Sequence, residues 1–593
     1  MSKLALTLLL IAVAGAPAAA APAKAAPAVK RLYALFNQEW ERRLVEDPLY
    51  ATRVGDHRYD DRWPDASPAA RERSHRADLA VLDKLKGISR ATLPDSERLN
   101  YDLFRYEYER RVAAWPFKPW MYSISAREGP QALNEVAEDM PFDTAAQYGL
   151  WLTRLERLPA YLDARATELK EAVQEKRTQP RVLMDRVVPQ LAMQLSVRPE
   201  DSPFWSKFRQ FPRGISDSER TAIEERARSV IGGAVVPAYR RFDEFFRTEY
   251  LPATRSTVGI YDTPDGRAYY ANRVRFHTTT DMTPAAIHEL GLKEVERIHG
   301  EMISVMQSTG FKGDLPEFFK FLRTDPRFYF TDADQLLREY MVTTIRIEPE
   351  LVKLFGHLYR TPLGVRVIPA TSAPNTTAAY YSQGAIDGTR AGYFYVNLYQ
   401  LDARPTYEIE VLTSHEAVPG HHLQIAIGQE RTDLPPFRRA SDSEYTAFVE
   451  GWGLYSERLG YDLGLYRDPY SHFGQLTYDM WRAVRLVVDT GIHDQGWTRD
   501  QAIDYFKSNA AKTDTDIVNE IDRYIGWPGQ ALAYKVGQLK ILELRAQAER
   551  ALGPRFDVRA FHDALLSEGA LPLDVLAARM GAWVKSQRPA AER

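Results

Sequence analysis

The chain has 593 residues, of which 45% are hydrophobic and 26% are charged, the balance of an ordinary globular protein. This composition excludes a disordered or fibrous chain, and the length allows either two lobes or one large helical body. Lys and Arg number 77 against 80 Asp and Glu, and no basic stripe is visible, so the sequence predicts no nucleic-acid partner.

The first twenty residues have the pattern of a secretory signal peptide. Lys3 gives a positive start, Leu4 to Val13 form an apolar stretch, and Ala18 to Ala20 supply an A-x-A cleavage site. The apolar stretch is too short to span a bilayer, and the chain has no cysteine for a lipid anchor or a disulfide. We therefore predict a signal peptide over residues 1–20 and an exported protein, periplasmic or secreted, without a stable membrane anchor after cleavage. Residues 21–29 are predicted to be an Ala/Pro-rich lead-in outside the fold.

Residues 30–593 are predicted to form one helical domain. Up to about residue 250, Leu, Tyr and Ala recur at helical spacing with charged residues between them, and prolines stand at the ends of these stretches. The catalytic part is predicted to occupy residues from about 251 to 593. Its first helix begins where Thr283 supplies an N-cap and Pro284 occupies the first turn.

Strand-like sequence is concentrated in one place, just before a histidine-rich segment. The short β-branched or aromatic runs there are separated by Pro, Gly, Asn and Asp, and they predict a small sheet from Val365–Ile368, Ala378–Tyr381 and Gly392–Leu398. Helices then resume to the C-terminus. A capping box from Thr498 to Gln501 starts one of them, and a break at residues 527–529 separates two others.

The segment from His415 to His422, HEAVPGHH, carries the strongest signal for metal chemistry. A catalytic zinc usually takes three ligands from His and carboxylates and leaves one position for water, while a nearby carboxylate acts as general base. In the H-E-x-x-H pattern, a four-residue step turns about 400° and places both imidazoles on one helix face. Here Pro419 occupies the fourth position, so the candidates for the second ligand are His421 and His422.

An undistorted helix would bring neither histidine beside His415. His421 would point about 120° away, and His422 would lie about 10 Å along the axis. Pro419 removes a helical hydrogen bond, and Gly420 permits unusual backbone angles. We therefore predict a local bulge that returns His421 to His415, with His422 as the alternative ligand. A histidine-rich helix end that is merely packed or solvated is the competing interpretation.

The third ligand is predicted from a downstream helix, Ala447–Tyr455. Glu450 lies off the apolar stripe of this helix among apolar neighbours, and a buried carboxylate needs a partner because burying it unpaired is costly. A salt-bridged or exposed glutamate is the alternative interpretation. Glu457, seven residues on, faces the same way and is either a rival ligand or the partner of a ligand.

Four separated segments carry a resemblance to a known family: HEAVPGHHLQ, AFVEGWGLYSE, RLVVDTGIHDQGW and RYIGWPGQALAYKVGQLK. In this order, and over essentially the whole mature chain, they resemble the bacterial family called domain of unknown function 885. The resemblance implies a mainly α, zinc-metallopeptidase-like fold of the gluzincin type, with the small β-sheet beside the active-site helix and a deep cleft. It also implies one Zn²⁺ ion held by His415, His421 and Glu450, and Glu416 as general base.

Further catalytic residues are sought among hydrogen-bond donors, because amide hydrolysis needs donors for the developing oxyanion. Tyr524 and Tyr534 stand on either side of the predicted break at residues 527–529, and together with His493 they are the candidates. Tyrosine in a helix is more often part of the packing at the rim of a core, and this is the alternative for both.

Substrate-binding candidates come from one helix and one strand. Arg485 shares a helix face with Arg482 and Asp489; such a row is usually an exposed charged stripe, and its functional interpretation is a guanidinium that binds a carboxylate. Tyr393 and Tyr395 belong to the Gly392–Leu398 run, which we predict as an edge for an extended peptide by strand addition.

The sequence thus predicts an exported zinc-dependent hydrolase, with a peptidase that acts on a peptide or a small amide as the leading hypothesis. An amidase or esterase acting on a non-peptide metabolite is the alternative with the same chemistry. A non-catalytic binding protein that retains the fold is the third hypothesis. Glu416 beside His415 argues against the third hypothesis, because a binding module has no need of a general base.

Overall fold

A computed structural model describes the protein over residues 26–370, 372–440 and 444–588. The predicted signal peptide, residues 1–20, lies outside the described residues. The predicted lead-in was too long at its C-terminal end, because the first helix already begins at Pro27. Val29 is buried there with Leu32 and Phe36 at helical spacing, so the last residues of the lead-in belong to the core.

The first half of the described chain is helical, as the spacing of its apolar residues predicts. Prolines and N-caps stand at many of the helix starts. The α-helices are α1 Pro27–Glu46, α2 Pro48–Val54, α3 Pro68–Lys86, α4 Asp95–Ala114, α5 Ala145–Glu156, α6 Leu158–Gln174, α7 Arg181–Met193, α8 Asp217–Val230, α9 Val236–Phe245, α10 Gly266–Thr278, α11 Pro284–Ser308, α12 Leu315–Thr324 and α13 Ala333–Ile347.

After a small sheet, helices continue to the C-terminus. They are α14 Ile409–Glu416, α15 His421–Glu430, α16 Pro436–Arg439, α17 Thr446–Leu459, α18 Pro469–His493, α19 Arg499–Asn509, α20 Asp514–Gly526, α21 Leu532–Leu552, α22 Val558–Leu566 and α23 Leu573–Ser586. The predicted caps are confirmed, since Thr283 caps α11 and Thr498 forms a capping box with Gln501 at α19. The predicted break at residues 527–529 separates α20 from α21.

The predicted sheet is confirmed as three short strands: β1 Leu363–Val367, β2 Ala379–Ser382 and β3 Gly392–Val396. The strand order is β1-β3-β2, with β1 parallel and β2 antiparallel to β3. β3 is therefore the central strand, and β2 is an edge strand that packs beside α14.

One hydrophobic core runs from Ala28 to Met580 and joins both halves of the chain. Along it, α11 packs against α18 and α17 packs against α21. Within α18, every residue from Phe473 to His493 is buried, which excludes the exposed charged stripe as the explanation of Arg482, Arg485 and Asp489. In the described ranges, none of the helices is both long and apolar enough to cross a membrane.

Candidate metal centre

The histidine-rich segment is broken into two helices, as its proline and glycine predict. α14 ends at Glu416 and α15 begins at His421. The break is held by the α17 helix, because the Trp452 indole N–H donates a hydrogen bond of 2.9 Å to the Pro419 carbonyl. The interruption is thus a complete break between helices rather than a bulge within one helix.

Gly420 is needed in this break for space. Its φ of −75° is outside the left-handed region, and its ψ of −129° is outside both the helical and the extended regions. A Cβ atom at this position would lie 1.8 Å from the His415 carbonyl oxygen. The chain can therefore turn back on the end of α14 only where residue 420 has no side chain.

The break brings His421 beside His415, and α17 places Glu450 against both. One ligand atom from each of these residues lies within 4.8 Å of the others. Glu450 Oε2 is 3.3 Å from His421 Nε2 and 3.6 Å from His415 Nε2. The predicted triad is thus a compact cluster of two imidazole nitrogens and one carboxylate oxygen.

The two imidazoles lie directly on the backbone of α17 at Gly453. A Cβ atom there would lie 2.8 Å from His415 Cε1, 2.9 Å from His415 Nε2 and 3.1 Å from His421 Cε1. These distances are shorter than carbon and nitrogen atoms tolerate without displacement. Gly453, one helical turn after Glu450, therefore allows both rings to approach the glutamate.

Glu457 lies behind His415 and is its hydrogen-bond partner. The His415 Nδ1–H group donates to Glu457 Oε1 over 2.8 Å, and Arg482 Nη2 lies 3.2 Å from the same oxygen. This bond fixes the tautomer so that Nε2 of His415 is the nitrogen that faces Glu450. Of the two interpretations of Glu457, the geometry agrees with the partner of a ligand.

Electrostatics in the cluster favour a charged carboxylate. Burial alone would lower the pKa of His415, but the carboxylates of Glu450, Glu457 and Glu416 outweigh burial and raise it to about 9. Burial alone would raise the pKa of Glu450, but the imidazoles of His421 and His415 hold it well below its usual range. Glu450 is therefore ionised at neutral pH, as a metal ligand has to be.

His422 points away from this cluster. Its Nε2–H group donates to the Thr361 carbonyl over 3.0 Å, and the Tyr381 hydroxyl lies 3.0 Å from its Nδ1. Burial lowers the pKa of His422 to about 4, so the ring is neutral and both of its nitrogens are used. The geometry thus agrees with His421 as the partner of His415, and not with His422.

For the zinc site predicted from the sequence, replacement of Glu457 by Gln is expected to weaken binding by about 10- to 100-fold without removing it, because a neutral amide cannot orient His415 with a full negative charge. Chelator competition on both proteins measures the change. Glu296→Gln, at an exposed position of α11, is the matched control. An unchanged zinc affinity in Glu457→Gln would contradict the role given to this carboxylate.

The triad lies on the wall of a cavity of about 520 Å³. Glu416, the predicted general base, lines the cavity beside His415, and Tyr380 and Tyr381 bring the edge strand β2 to the same wall. The N-terminal half also contributes, so the predicted division at about residue 250 does not separate the site from the rest. The other charged and aromatic lining residues are Arg127, Glu135, Tyr478, Trp481, Arg482, Arg485, Arg523, Trp527 and Tyr534.

Two of the predicted supporting residues lie in the cavity wall. The Tyr534 ring stacks at 6.2 Å from the His415 ring, and Arg485 Cζ lies 4.1 Å from the Tyr534 ring centroid. Arg523 donates a hydrogen bond of 2.8 Å to the Tyr534 hydroxyl. The Tyr534 hydroxyl hydrogen is therefore available to another acceptor.

Tyr524 and His493 are not placed to act on a substrate, which corrects two predictions. The Tyr524 hydroxyl donates to Glu520 and accepts from Arg485 and Trp481, so its hydrogen bonds are all made within the protein. His493 accepts from the Ile260 N–H and donates to the Tyr524 carbonyl. Burial lowers the pKa of His493 to about 3, so this ring is a neutral part of the core.

The prediction for Tyr393 and Tyr395 is also wrong. Both belong to β3, which is paired on both sides and so has no free edge for strand addition. Arg366 Cζ lies 3.5 Å from the Tyr393 ring centroid, and Tyr395 stacks on Tyr380. The strand that reaches the cavity is the edge strand β2.

Arg127, Arg523 and Glu520 are among the residues of the cavity region that were not predicted from the sequence. Arg523 lies in a segment that was singled out, and Glu520 lies three residues before it. The position of Glu520 four residues before Tyr524 on one face of α20 could have indicated it. Arg127 lies in a connection between α4 and α5, far from the other site residues in sequence. No local pattern could have placed it in the wall.

The comparisons with known proteins agree on the family and the fold. A family model described as "Bacterial protein of unknown function (DUF885)" matches residues 48–580. The structure described as "putative lipoprotein from Colwellia psychrerythraea" is 28% identical, with a TM-score of 0.88 over 94% of this chain and 99% of that chain. A "putative lipoprotein of unknown function from Shewanella oneidensis" is 19% identical, with a TM-score of 0.64 over 94% and 100%, and shows the fold alone.

No curated protein matches the chain. The implied relation to peptidases is not established by the solved structures, since "PZ PEPTIDASE A with inhibitor 2" aligns at a TM-score of 0.32 and 11% identity. The family match, in contrast, covers most of the sequence, including all residues of the triad. The chain therefore belongs to the bacterial family of unknown function DUF885.

Proposed function

We propose that this protein is a zinc-dependent hydrolase that cleaves peptide bonds. The observation that carries the proposal is the cluster of His415, His421 and Glu450 in the wall of a cavity, with Glu416 beside it. Two imidazoles and one carboxylate are the ligand set of a class of catalytic zinc sites, which keep a further position open.

The residues of the cluster fit a zinc ion. Glu450 Oε2 is buried and has no hydrogen-bond donor within the described part of the chain, and an unsatisfied buried carboxylate oxygen is costly unless a cation binds it. His415 Nε2, His421 Nε2 and Glu450 Oε2 would hold the ion. A zinc ion bound by such residues polarises a carbonyl group and lowers the pKa of water.

The surrounding side chains have complementary tasks in hydrolysis. Glu416 accepts a proton from the attacking water and passes it to the departing amine. Tyr534, whose hydroxyl accepts a hydrogen bond from Arg523, donates its own hydrogen to the carbonyl oxygen of the substrate. Glu457 keeps His415 oriented throughout.

A peptide is favoured over other amides and esters by the strand that lies in the cavity wall. β2 pairs with β3 on one side only, and Tyr380 and Tyr381 of this strand line the cavity. Backbone groups of an edge strand bind an extended peptide by strand addition, whereas a small metabolite cannot use them. An amidase or esterase on a non-peptide metabolite is the alternative that a substrate panel would reveal.

Zinc is expected to be lost on replacement of His421 by Ala and retained on replacement of His422 by Ala. Only His421 lies beside His415 and Glu450, while His422 bonds to Thr361 and Tyr381. Elemental analysis after dialysis against zinc, with circular dichroism to verify folding, measures the difference. Retention of stoichiometric zinc by a folded His421→Ala protein would contradict the proposed ligand set.

We also propose that the protein is exported. The predicted signal peptide supports this, and the Colwellia and Shewanella structures of similar fold are described as lipoproteins. Fractionation of the native host tests it, with the protein expected outside the cytoplasm and shortened by about twenty residues, a length typical of signal peptides. Recovery of the unshortened chain from the cytoplasm would contradict the proposal.

A further inference from the structure

Three arginines of the cavity wall surround one buried carboxylate. Arg485 Nη2 lies 2.7 Å, Arg523 Nη1 3.5 Å and Arg127 Nη2 3.7 Å from the Glu520 carboxylate. All three arginines line the cavity, and Glu520 lies behind them with 1% of its side chain exposed. We call Arg127, Arg485 and Arg523 the arginine cluster.

The arginine cluster has more positive charge than its surroundings neutralise. Burial alone would raise the pKa of Glu520, but Arg485, Arg523 and Arg127 hold it below its usual range, so one negative charge faces three positive charges. The wall also contains the carboxylates of Glu416 and Glu450, which belong to the proposed metal site, and that of Glu135. Apart from the metal site, the three guanidinium groups outnumber the carboxylates of Glu520 and Glu135. Burial, together with the neighbouring Arg523, lowers the pKa of Arg127 to about 10.

Some hydrogen-bond donors of the arginine cluster also lack an acceptor in the part of the chain that the structure describes. Arg485 Nη1, Arg523 Nε and Arg127 Nη2 are buried and have no hydrogen-bond acceptor among the described residues. The Arg485 side chain is 2% exposed, so bulk water does not satisfy its donor. Leaving buried charged donors unpaired costs free energy, and an anionic group in the cavity would remove this cost.

The arginine cluster lies close to the proposed metal ligands. Arg485 Cζ is 4.1 Å from the Tyr534 ring centroid, and this centroid is 6.2 Å from that of the His415 ring. An extended residue spans about 3.5 Å. No more than about three residues of peptide therefore fit between His415 and the Arg485 guanidinium.

We propose that the arginine cluster binds the free α-carboxylate of a peptide, so that the enzyme removes a short fragment from the C-terminus. This inference rests on the proposed peptidase function. In the reaction, the peptide C–N bond breaks, a C–O bond forms from water, and the proton of the water goes to the amine of the released fragment. Guanidinium groups suit this role because they bind carboxylates through paired N–H donors.

The test measures binding as well as cleavage, with the zinc-loaded Glu416→Gln protein as the non-cleaving form. Acetylated trialanine is compared as the free acid and as the C-terminal amide by calorimetry. We expect the free acid to bind at least about tenfold more tightly, the usual range for hydrogen bonds to a charged group. A third peptide, which ends in a Glu amide, separates recognition of the α-carboxylate from recognition of an acidic side chain.

Substitutions in the arginine cluster identify the residues responsible. Arg127→Gln is the first choice, because Arg127 makes only a long ion pair with Glu520 and can change without breaking the core. Arg523→Gln is the second variant, and Arg338→Gln, at an exposed position of α13, is the matched control. In both cluster variants the preference for the free acid should fall to below about threefold. Zinc content should stay unchanged in both, and binding of the amide should stay unchanged in Arg127→Gln, whereas Arg523→Gln also loses the hydrogen bond to Tyr534.

The outcomes separate this inference from the proposed function. The inference is overturned if the free acid and the amide bind equally, if the Glu amide binds more tightly, or if none of the peptides binds. It is also overturned if both cluster variants keep the full preference for the free acid. If the protein binds no zinc but still prefers the free acid, the proposed hydrolysis fails with the cleavage that rests on it, while recognition of the α-carboxylate by the arginine cluster stands. Wild-type protein should likewise cleave the free acid, with the amide at least about tenfold slower.

Discussion

Replacement of Glu416 by Gln is expected to lower the rate of peptide hydrolysis by about 10²- to 10⁴-fold, the usual contribution of a general base. Gln is nearly the same size as Glu but cannot accept the proton from water. Glu416 is the last residue of α14 and lines the cavity without belonging to the triad. Folding and zinc content should therefore stay the same, as circular dichroism and elemental analysis can verify.

The exposed Glu296→Gln variant is the control for this experiment, since it removes a carboxylate from α11 without touching the cavity. Its rate should equal that of the wild-type protein. Parent-like activity in a zinc-loaded Glu416→Gln protein would exclude Glu416 as the base and leave another cavity carboxylate, such as Glu135, to be tested.

The second large effect is expected at Gly420. Replacement by Ala should weaken zinc binding by more than about 100-fold, which is a larger loss than changing the hydrogen-bond partner of a metal ligand usually causes. A methyl group there would overlap the His415 carbonyl oxygen, at 1.8 Å. The turn between α14 and α15 has to open to avoid this overlap, and His421 then moves away from Glu450. Chelator competition titrations give the affinity.

Gly428→Ala is the matched control, because Gly428 lies in α15, the same helix, and its added methyl group would meet only Gly569 Cα at 3.7 Å. Zinc affinity should be unchanged in this variant, and folding should be retained in both. If Gly420→Ala binds zinc as tightly as the wild-type protein, the close approach to His415 is not what places His421.

The parts of the fold that the sequence predicts well are those with local causes. Thr283 with Pro284, and Thr498 with Gln501, start helices through contacts within one turn. The break at Gly420 is local in the same sense, since the carbonyl that leaves no space for a side chain there belongs to His415, five residues earlier. Side chains of one helix, such as Glu450 and Glu457, could likewise be placed on one face from their spacing.

The errors have non-local causes. Tyr524 and His493 stand in segments with the composition of a site, but contacts with distant parts of the chain, Arg485 and Trp481 for Tyr524 and Ile260 for His493, hold both in the core. Tyr395 was assigned to a strand with a free edge, whereas the pairing with β1 on one side and β2 on the other makes that strand central. Arg127 joins the cavity through the packing of the two halves, which no periodicity in its own segment indicates.

The burial of α18 from Phe473 to His493 has a consequence for which substrates the cavity can accept. Arg482 of this helix contacts Glu457 behind the metal ligands, and Arg485, three residues later, belongs to the arginine cluster. Three residues of α-helix rise by about 4.5 Å, and a helix held on all sides cannot stretch or slide. The backbone of α18 thus holds the distance between the two ends of the site constant. Changes in the side chains of the wall should alter how tightly a peptide binds, but not the length of the fragment that the proposed peptidase releases.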